Sequence, residues 1–303
     1  MSKSCSRMPA AALGALRCAA LVLLAGGVLA ARAADYKPAV DRETLVVALE
    51  KSISNLDAQV TSTGDSLLYA WQVYDTLYGF DAKGNVVPRM ASAVKVSPDR
   101  LRYTFTLRPG IRFQNGDPLT PEDVRYSLER ILDPAVKSTR RVYFAPVVAG
   151  IETGPDTVTI VLKQPDGAFL NKVAGFLFVI PRNYATKLGT PEAFAAAPIG
   201  SGPFKVKEFK VGQYLELERF DGYWGQAIGE RPGVKRIVLR FVPEAASRVS
   251  ALQSGEVDLA AVVPLQDVAR LKSDNGLEVL VNPNGGPLHV RLYSNVPSHP
   301  FSK

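Results

Sequence analysis

The run Tyr103–Arg130, YTFTLRPGIRFQNGDPLTPEDVRYSLER, decides the fold class because its periodicity changes part-way along. From Leu101 to Arg108, the apolar Leu101, Tyr103, Phe105 and Leu107 alternate with Arg102, Thr104, Thr106 and Arg108. Successive strand side chains point to opposite faces, so this is a half-buried strand with one wet face. Pro109-Gly110 turns the chain, Ile111-Arg112-Phe113 reads as a short return strand, and Asn115-Gly116 as a second turn. Thr120 then predicts an N-cap, with Pro121 at the first helical position and acids in the first turn opposing the helix dipole. Val124, Leu128 and Ile131 or Leu132 form the buried stripe of that helix, and Asp133-Pro134 ends it.

Upstream, Thr44–Leu49 (TLVVAL) is an apolar run of strand length, the pattern of a buried strand. The polar stretch Lys51–Asp65 follows as a loop, and Asp65 can cap a helix carrying Leu67, Trp71, Tyr74 and Tyr78. A strand feeding a polar loop and then a helix is a common ligand position; a plain connecting loop fits the pattern as well. Downstream, Thr157–Lys163 alternates like a strand, Phe176–Ile180 is an apolar run closed by Pro181, and Thr190-Pro191-Glu192 opens a capped helix. Pro198–Phe204 (PIGSGPF) reads as a turn-dense hinge. Strand patterns at Tyr214–Arg219 and Arg236–Val242 precede a helix over Glu244–Gln253, with Gly255 placed to cap its end. Val257–Val263 predicts a strand, Pro264–Leu271 a short helix and Leu277–Val281 another strand. Alternating strands and helices favour an open sheet covered by helices.

The chain has 303 residues, 47% hydrophobic and 21% charged, the balance of a globular protein with room for about two domains. Its formal charge of +7 suggests an anionic partner. Residues 1–33 change that reading. They carry Lys3, Arg7, Arg17 and Arg32 without an acid, then the apolar run Ala19–Ala31 and an Ala31-Arg32-Ala33 site, the layout of a cleavable signal peptide. The apolar run has 13 residues, short of the roughly 20 that span a bilayer. Removing four basic residues from +7 leaves +3, and Cys5 and Cys18 leave with them, so the mature chain has no disulfide or thiolate site. The expectation is a soluble periplasmic protein that meets no nucleic acid.

Catalytic signatures are missing. Only His289 and His299 are present, without metal-ligand spacing. Gly200-Ser201-Gly202 is not a nucleophile elbow, and no glycine-rich phosphate loop follows a strand. Asp57, Asp65, Asp75, Glu122, Asp123, Glu256 and Asp258 leave a glycosidase-type acid pair open, although caps and surface charge explain most of them better. Trp71 and Trp224 could stack on a ligand or fill a core.

Five blocks carry a family resemblance. Tyr74-Asp75-Thr76-Leu77, Gly84–Pro88 and Ser97-Pro98-Asp99 come first, then Tyr103–Arg130, Ile199–Phe204, Asp221–Gly225 and Leu252–Asp258. In that order they resemble the family 5 extracellular solute-binding proteins of ABC transporters. The resemblance implies a mixed α/β fold, a type II periplasmic binding protein lobe with a smaller α+β domain inserted and the second lobe missing. Residues 34–73 and 190–285 would form lobe one, 74–189 the inserted domain, and 286–303 the start of a truncated lobe two, which Asn295 and Pro300-Phe301-Ser302 resemble.

The implied function is solute capture for an ABC importer, with peptides the leading cargo, by a monomer that is not an enzyme and needs no cofactor or metal. The alternatives are a secreted hydrolase using a carboxylate pair, or a nickel, haem or other-solute binder of the same family. Most ligand groups of the family lie on lobe two, so the candidates carried over are Ser52, Ser54, Thr63, Gly64, Trp71 and Tyr74. One lobe alone offers a half-site open to water, with little buried area to offset the cost of ordering a ligand. Calorimetric titration of residues 34–303 with a peptide library is expected to give weak or no binding; micromolar affinity would contradict a truncated site.

Overall fold

The computed structural model describes residues 43–61, 64–274 and 276–280. Residues 43–261 belong to one compact unit, and a second begins at Val262. The predicted signal segment, Thr63, Val281 and residues 286–303 lie outside the described residues.

In chain order the elements are β1 (Thr44–Leu49), α1 (Gly64–Val73), β2 (Tyr78–Phe80), β3 (Val86–Pro88), β4 (Ala91–Val96), β5 (Arg102–Leu107) and α2 (Pro121–Leu132). Then come α3 (Arg141–Phe144), β6 (Val148–Thr153), β7 (Thr157–Leu162), α4 (Phe169–Phe176), α5 (Arg182–Leu188), α6 (Pro191–Ala196), β8 (Phe204–Lys210) and β9 (Tyr214–Arg219). The last are β10 (Arg236–Phe241), α7 (Ala245–Gln253), β11 (Leu259–Ala260) and α8 (Leu265–Lys272), and 3-10 turns cover Pro134–Val136 and Trp224–Ile228.

Two sheets carry the architecture. The first has five strands in the order β11-β1-β10-β9-β8, with β1 parallel to both neighbours and β9 antiparallel to β10 and β8. It is buried on both faces: Val47, Leu49, Leu215, Leu217, Ile237 and Leu239 pack towards α1 and α6, while Val46, Ala48, Tyr214 and Val238 join a cluster with Ala251 and Leu252 of α7. Burial on two faces is why TLVVAL is continuously apolar, and it puts β10 in the centre, as its sequence indicates. The second sheet, β4-β5-β7-β6, is antiparallel throughout and keeps one wet face. Tyr103, Phe105, Leu107, Val158, Ile160 and Leu162 point into a core closed by Val124, Leu128 and Ile131 of α2. At the start of α2, Asp123 accepts hydrogen bonds from the Thr120 amide (2.8 Å) and hydroxyl (2.6 Å), so the cap read from sequence is formed.

Several local expectations are corrected. Ile111–Phe113 is not a strand; only Arg112 forms an isolated bridge, with Pro118, while Ile111 and Phe113 anchor the core as single residues. On α1 the buried face is Ser66, Tyr69, Ala70 and Val73; Leu67 and Trp71 are partly buried against the same core, and the helix ends at Val73, so Tyr74 and Tyr78 do not continue its stripe. The Phe176–Ile180 run is the end of a helix followed by an extended segment that Thr76 bridges at Phe178. The strand at 257–263 shrinks to Leu259–Ala260, and residues 277–280 form none.

PIGSGPF works by close approach and not as a free hinge. A Cβ on Gly200 would lie 2.1 Å from the Val73 carbonyl oxygen, and one on Gly202 would lie 2.6 Å from that of Gln72. Neither glycine has a positive φ, so lack of bulk is what the site needs. Gln114 locks the junction: its side-chain nitrogen donates to the carbonyls of Val73 (3.0 Å), Gly202 (3.2 Å) and Phe204 (2.7 Å), and its oxygen accepts from the Gly200 amide (3.2 Å). Gly202→Ala should therefore cost about 3 kcal/mol, whereas Gly233→Ala, with open space around it, should change stability by under about 0.5 kcal/mol. Urea titration of both variants checks this; equal midpoints would refute the close-approach reading.

Candidate functional site

The three parallel strands β11, β1 and β10 end on one edge of the sheet, at Ala260, Leu49 and Phe241. In open α/β sheets, ligands bind in the crevice beyond such carboxyl ends. The chain leaving β1 forms the loop 50–61 at this edge, and Arg248, buried on α7, ties the other two ends together. Its guanidinium donates to the carbonyls of Val242 (2.7 Å), Pro243 (2.8 Å) and Ala261 (3.1 Å). Asp258 extends the ladder: its carboxylate accepts from the Val46 amide (2.7 Å), and its own amide donates to the Val46 carbonyl (2.9 Å).

The loop is held by residues about eighty positions further along. Ser138 Oγ donates to the Gln59 carbonyl; Thr139 donates to that of Val60 through its amide (3.3 Å) and hydroxyl (3.0 Å). Arg140 donates through Nε to Ala58 and through Nη2 to Thr61 (2.9 Å). Every carbonyl from Ala58 to Thr61 thus meets a donor from Ser138-Thr139-Arg140. Side chains add a second tier: Arg130 pairs with Asp57 and donates to Gln59 Oε1 (2.8 Å), while Gln59 Nε2 donates to the Phe178 carbonyl (2.8 Å). Asp57, Gln59 and Arg140 are all fully buried. Burial pushes the Arg140 guanidinium down to about 10, against the pull of Asp57.

The residues singled out from sequence fall at different depths around this loop. Ser52 and Ser54 are exposed, and Ser52 Oγ accepts from the Gly212 amide (3.2 Å) and donates to the Ile53 carbonyl. Gly64 opens α1. Trp71 is half-buried, edge-on to Phe178 with ring centroids 5.1 Å apart. Tyr74 is fully buried, and its hydroxyl donates to the Leu56 carbonyl (2.9 Å), which also accepts from Tyr69 (2.6 Å). Burial raises both phenols well above their usual value. The structure therefore brings Ser52, Ser54 and Tyr74 to one loop, with Trp71 on its flank. The sequence offers Asp57 only as one of several carboxylates open to an acid pair and gives no sign of Gln59, Arg130 or Ser138–Arg140 as its company, since these partners lie on distant segments. The one visible signal was an arginine, Arg130, on the apolar side of an otherwise amphipathic helix.

A second polar cluster explains two of the sequence blocks. Asp75, fully shielded, accepts from Arg89 Nη2 (2.7 Å) and from the Trp224 indole (2.9 Å). Arg89 also pairs with Glu230 and donates to the Tyr223 hydroxyl (2.9 Å). Burial raises the Asp75 carboxyl, and Arg89 and Trp224 pull it back. Tyr74–Leu77 and Asp221–Gly225 are thus two halves of one latch.

The model of the bacterial extracellular solute-binding proteins, family 5 middle, matches residues 85–303. This chain belongs to that family. It is similar to the glutathione-binding protein GsiB of Salmonella typhimurium, 29% identical over 271 residues that cover 87% of this chain and 50% of GsiB. Among solved structures it resembles AgaA of A.tumefacien R10 in complex with agropinic acid, with 31% identity, a TM-score of 0.70 and coverage of 77% of this chain and 46% of AgaA. It also resembles DppA of Helicobacter pylori in complex with the peptide STSA, with 27% identity, a TM-score of 0.68 and coverage of 77% and 49%. The chain spans about half the length of the curated relatives it matches. Its mixed α/β fold is that of type II periplasmic binding proteins. Among the described residues no helix is long and apolar enough to cross a membrane.

Two tests follow from the loop. Arg130→Met leaves Asp57 buried without its ion partner and should destabilise the protein by about 3–5 kcal/mol; no loss in a urea titration would remove the pair from the structural argument. Tyr69 and Tyr74 keep their protons in the folded state at pH values where the unfolded phenols lose them. Stability is then fully present below about pH 10 and falls as pH rises above it. Urea midpoints between neutral and strongly alkaline pH should show that fall, and Tyr69→Phe should flatten it; an unchanged slope would contradict the burial.

Proposed function

We propose that this chain supplies one wall of the solute site in a periplasmic binding protein that serves an ABC importer. The observation that carries this reading is the family match over residues 85–303. In it, residues 34–73 and 190–285 make one lobe around the five-stranded sheet, and residues 74–189 make the domain inserted into it. The solute meets the carboxyl-end edge of β1 and β10, at the loop 50–61, with Ser52, Ser54, Gly64 and Trp71 as the candidate lining and the fully buried Tyr74 holding the loop from behind through the Leu56 carbonyl. Capture completes when a second lobe closes over the ligand, and the closed protein docks on the permease. The protein acts as a monomeric binder and not as an enzyme, in line with relatives that are named as binding proteins.

Peptides are the favoured cargo, since glutathione and STSA are the ligands named for two of the relatives. The held carbonyls of residues 56–61 are already bonded within the protein, so a peptide main chain would meet the exposed start of the loop at residues 51, 52 and 54, whose far end is set before the ligand arrives. A small carboxylic acid is the second reading, favoured by the 31% identity to the agropinic acid binder.

Fluorescence titration of the full chain tests the proposal. Glutathione, STSA and dipeptides should give a saturable change, weaker than micromolar, that Trp71→Phe removes. A saturable change that Trp71→Phe leaves intact would refute solute capture at this edge, and turnover of a glycoside or ester panel would favour a hydrolase.

A further inference from the structure

The clamp on the loop has one donor too many. Arg140 is fully buried, its Nε and Nη2 are used on the carbonyls of Ala58 and Thr61, and Nη1 meets no acceptor among the described residues. Its surroundings do not neutralise it. Among the described side chains the carboxylate of the cluster is Asp57, and it is already engaged, by Arg130 on Oδ2 and by the Gln59 amide on Oδ1 (2.9 Å). Two guanidiniums therefore share a single buried acid, and Arg140 rests on neutral carbonyls and on two ring faces, Phe178 at 4.8 Å and Phe176 at 5.7 Å. Aromatic faces attract a cation but accept no strong hydrogen bond. A buried donor without a partner is unfavourable, and a buried charge without a counter-charge more so.

We propose that Arg140 Nη1 is the receptor for one small monovalent anion, with a carboxylate oxygen as the group that fits it. The site is a single charge-assisted hydrogen bond at a guanidinium that faces the Phe176 and Phe178 rings, completed by the surplus charge of the Arg130–Arg140 pair. It deepens the solute-binding reading and rests on that reading only in making the solute's own carboxylate the physiological source. An acid-bearing solute at the loop 50–61 would then be tied to the segment 138–140 as well as to the sheet. Nη1 is shielded from solvent in this structure, so the anion exchanges only when the packing around it shifts, and exchange is slow.

The test is thermal unfolding of the full chain, at constant ionic strength, in acetate, in its neutral isostere acetamide and in chloride. Acetate should raise the midpoint saturably and acetamide should not; chloride competing with acetate would show that free counter-ions also enter. Arg140→Gln should abolish the acetate response. An equal response in that variant, or to acetamide, would overturn the receptor. Should Arg140→Gln fail to fold, carbon-13 acetate spectra of the wild-type chain decide: a separate bound signal in slow exchange supports the site, and a single unshifted signal refutes it. An acetate response beside a glutathione or peptide response that Trp71→Phe leaves intact would refute capture at the loop and leave the receptor standing; the reverse would refute the receptor alone.

Discussion

The packing of two backbones with no side chain between them is the constraint on which the rest depends. Gly200 and Gly202 lie against the carbonyls of Gln72 and Val73, and Gln114 bonds to both segments at once. That contact fixes the end of α1 relative to the start of β8, and so fixes the five-stranded sheet against the four-stranded one. The loop after β1 lies between the two, and its carbonyls can meet Ser138–Arg140 only because this junction sets the distance. A loop so held keeps its conformation without ligand, which is the preorganisation a binding site benefits from.

The motif blocks turn out to be joints more than ligand contacts. Tyr74–Leu77 and Asp221–Gly225 meet in the latch of Asp75, Arg89 and Trp224; Ile199–Phe204 supplies the close approach; Leu252–Asp258 supplies the carboxylate that caps the β1 ladder. Each joins segments far apart in sequence. Polar groups at such joints hold geometry as well as energy, since a wrong pairing would leave a buried charge or amide unmet.

Much of this was legible from sequence where the cause is local. The alternation of Tyr103, Phe105 and Leu107, the Thr120-Pro121 start of α2 and the double-faced apolar runs of β1 and β10 each leave their mark in the residue pattern of the segment itself, whatever partner it meets. The failures share the opposite cause. Ile111–Phe113 has strand-like side chains but no partner strand, and α4 was hidden because its apolar run continues past the helix into an extended segment. The Arg140 clamp could not be read at all, as nothing in Ser138-Thr139-Arg140 announces four carbonyls some eighty residues earlier.

The position of β1 also governs the order of assembly. It is the first strand among the described residues, yet its two neighbours, β10 and β11, come about two hundred residues later. In the antiparallel sheet β4-β5-β7-β6 the outer pairs β4-β5 and β6-β7 are short-range and β5-β7 joins residues far closer in sequence than β1 and β10, so this sheet can close earlier. TLVVAL, apolar on both faces, has no permanent partner until β10 and β11 have emerged. For that interval it is a sticky, unpaired strand, and the folding yield of this chain depends on keeping it apart from other copies.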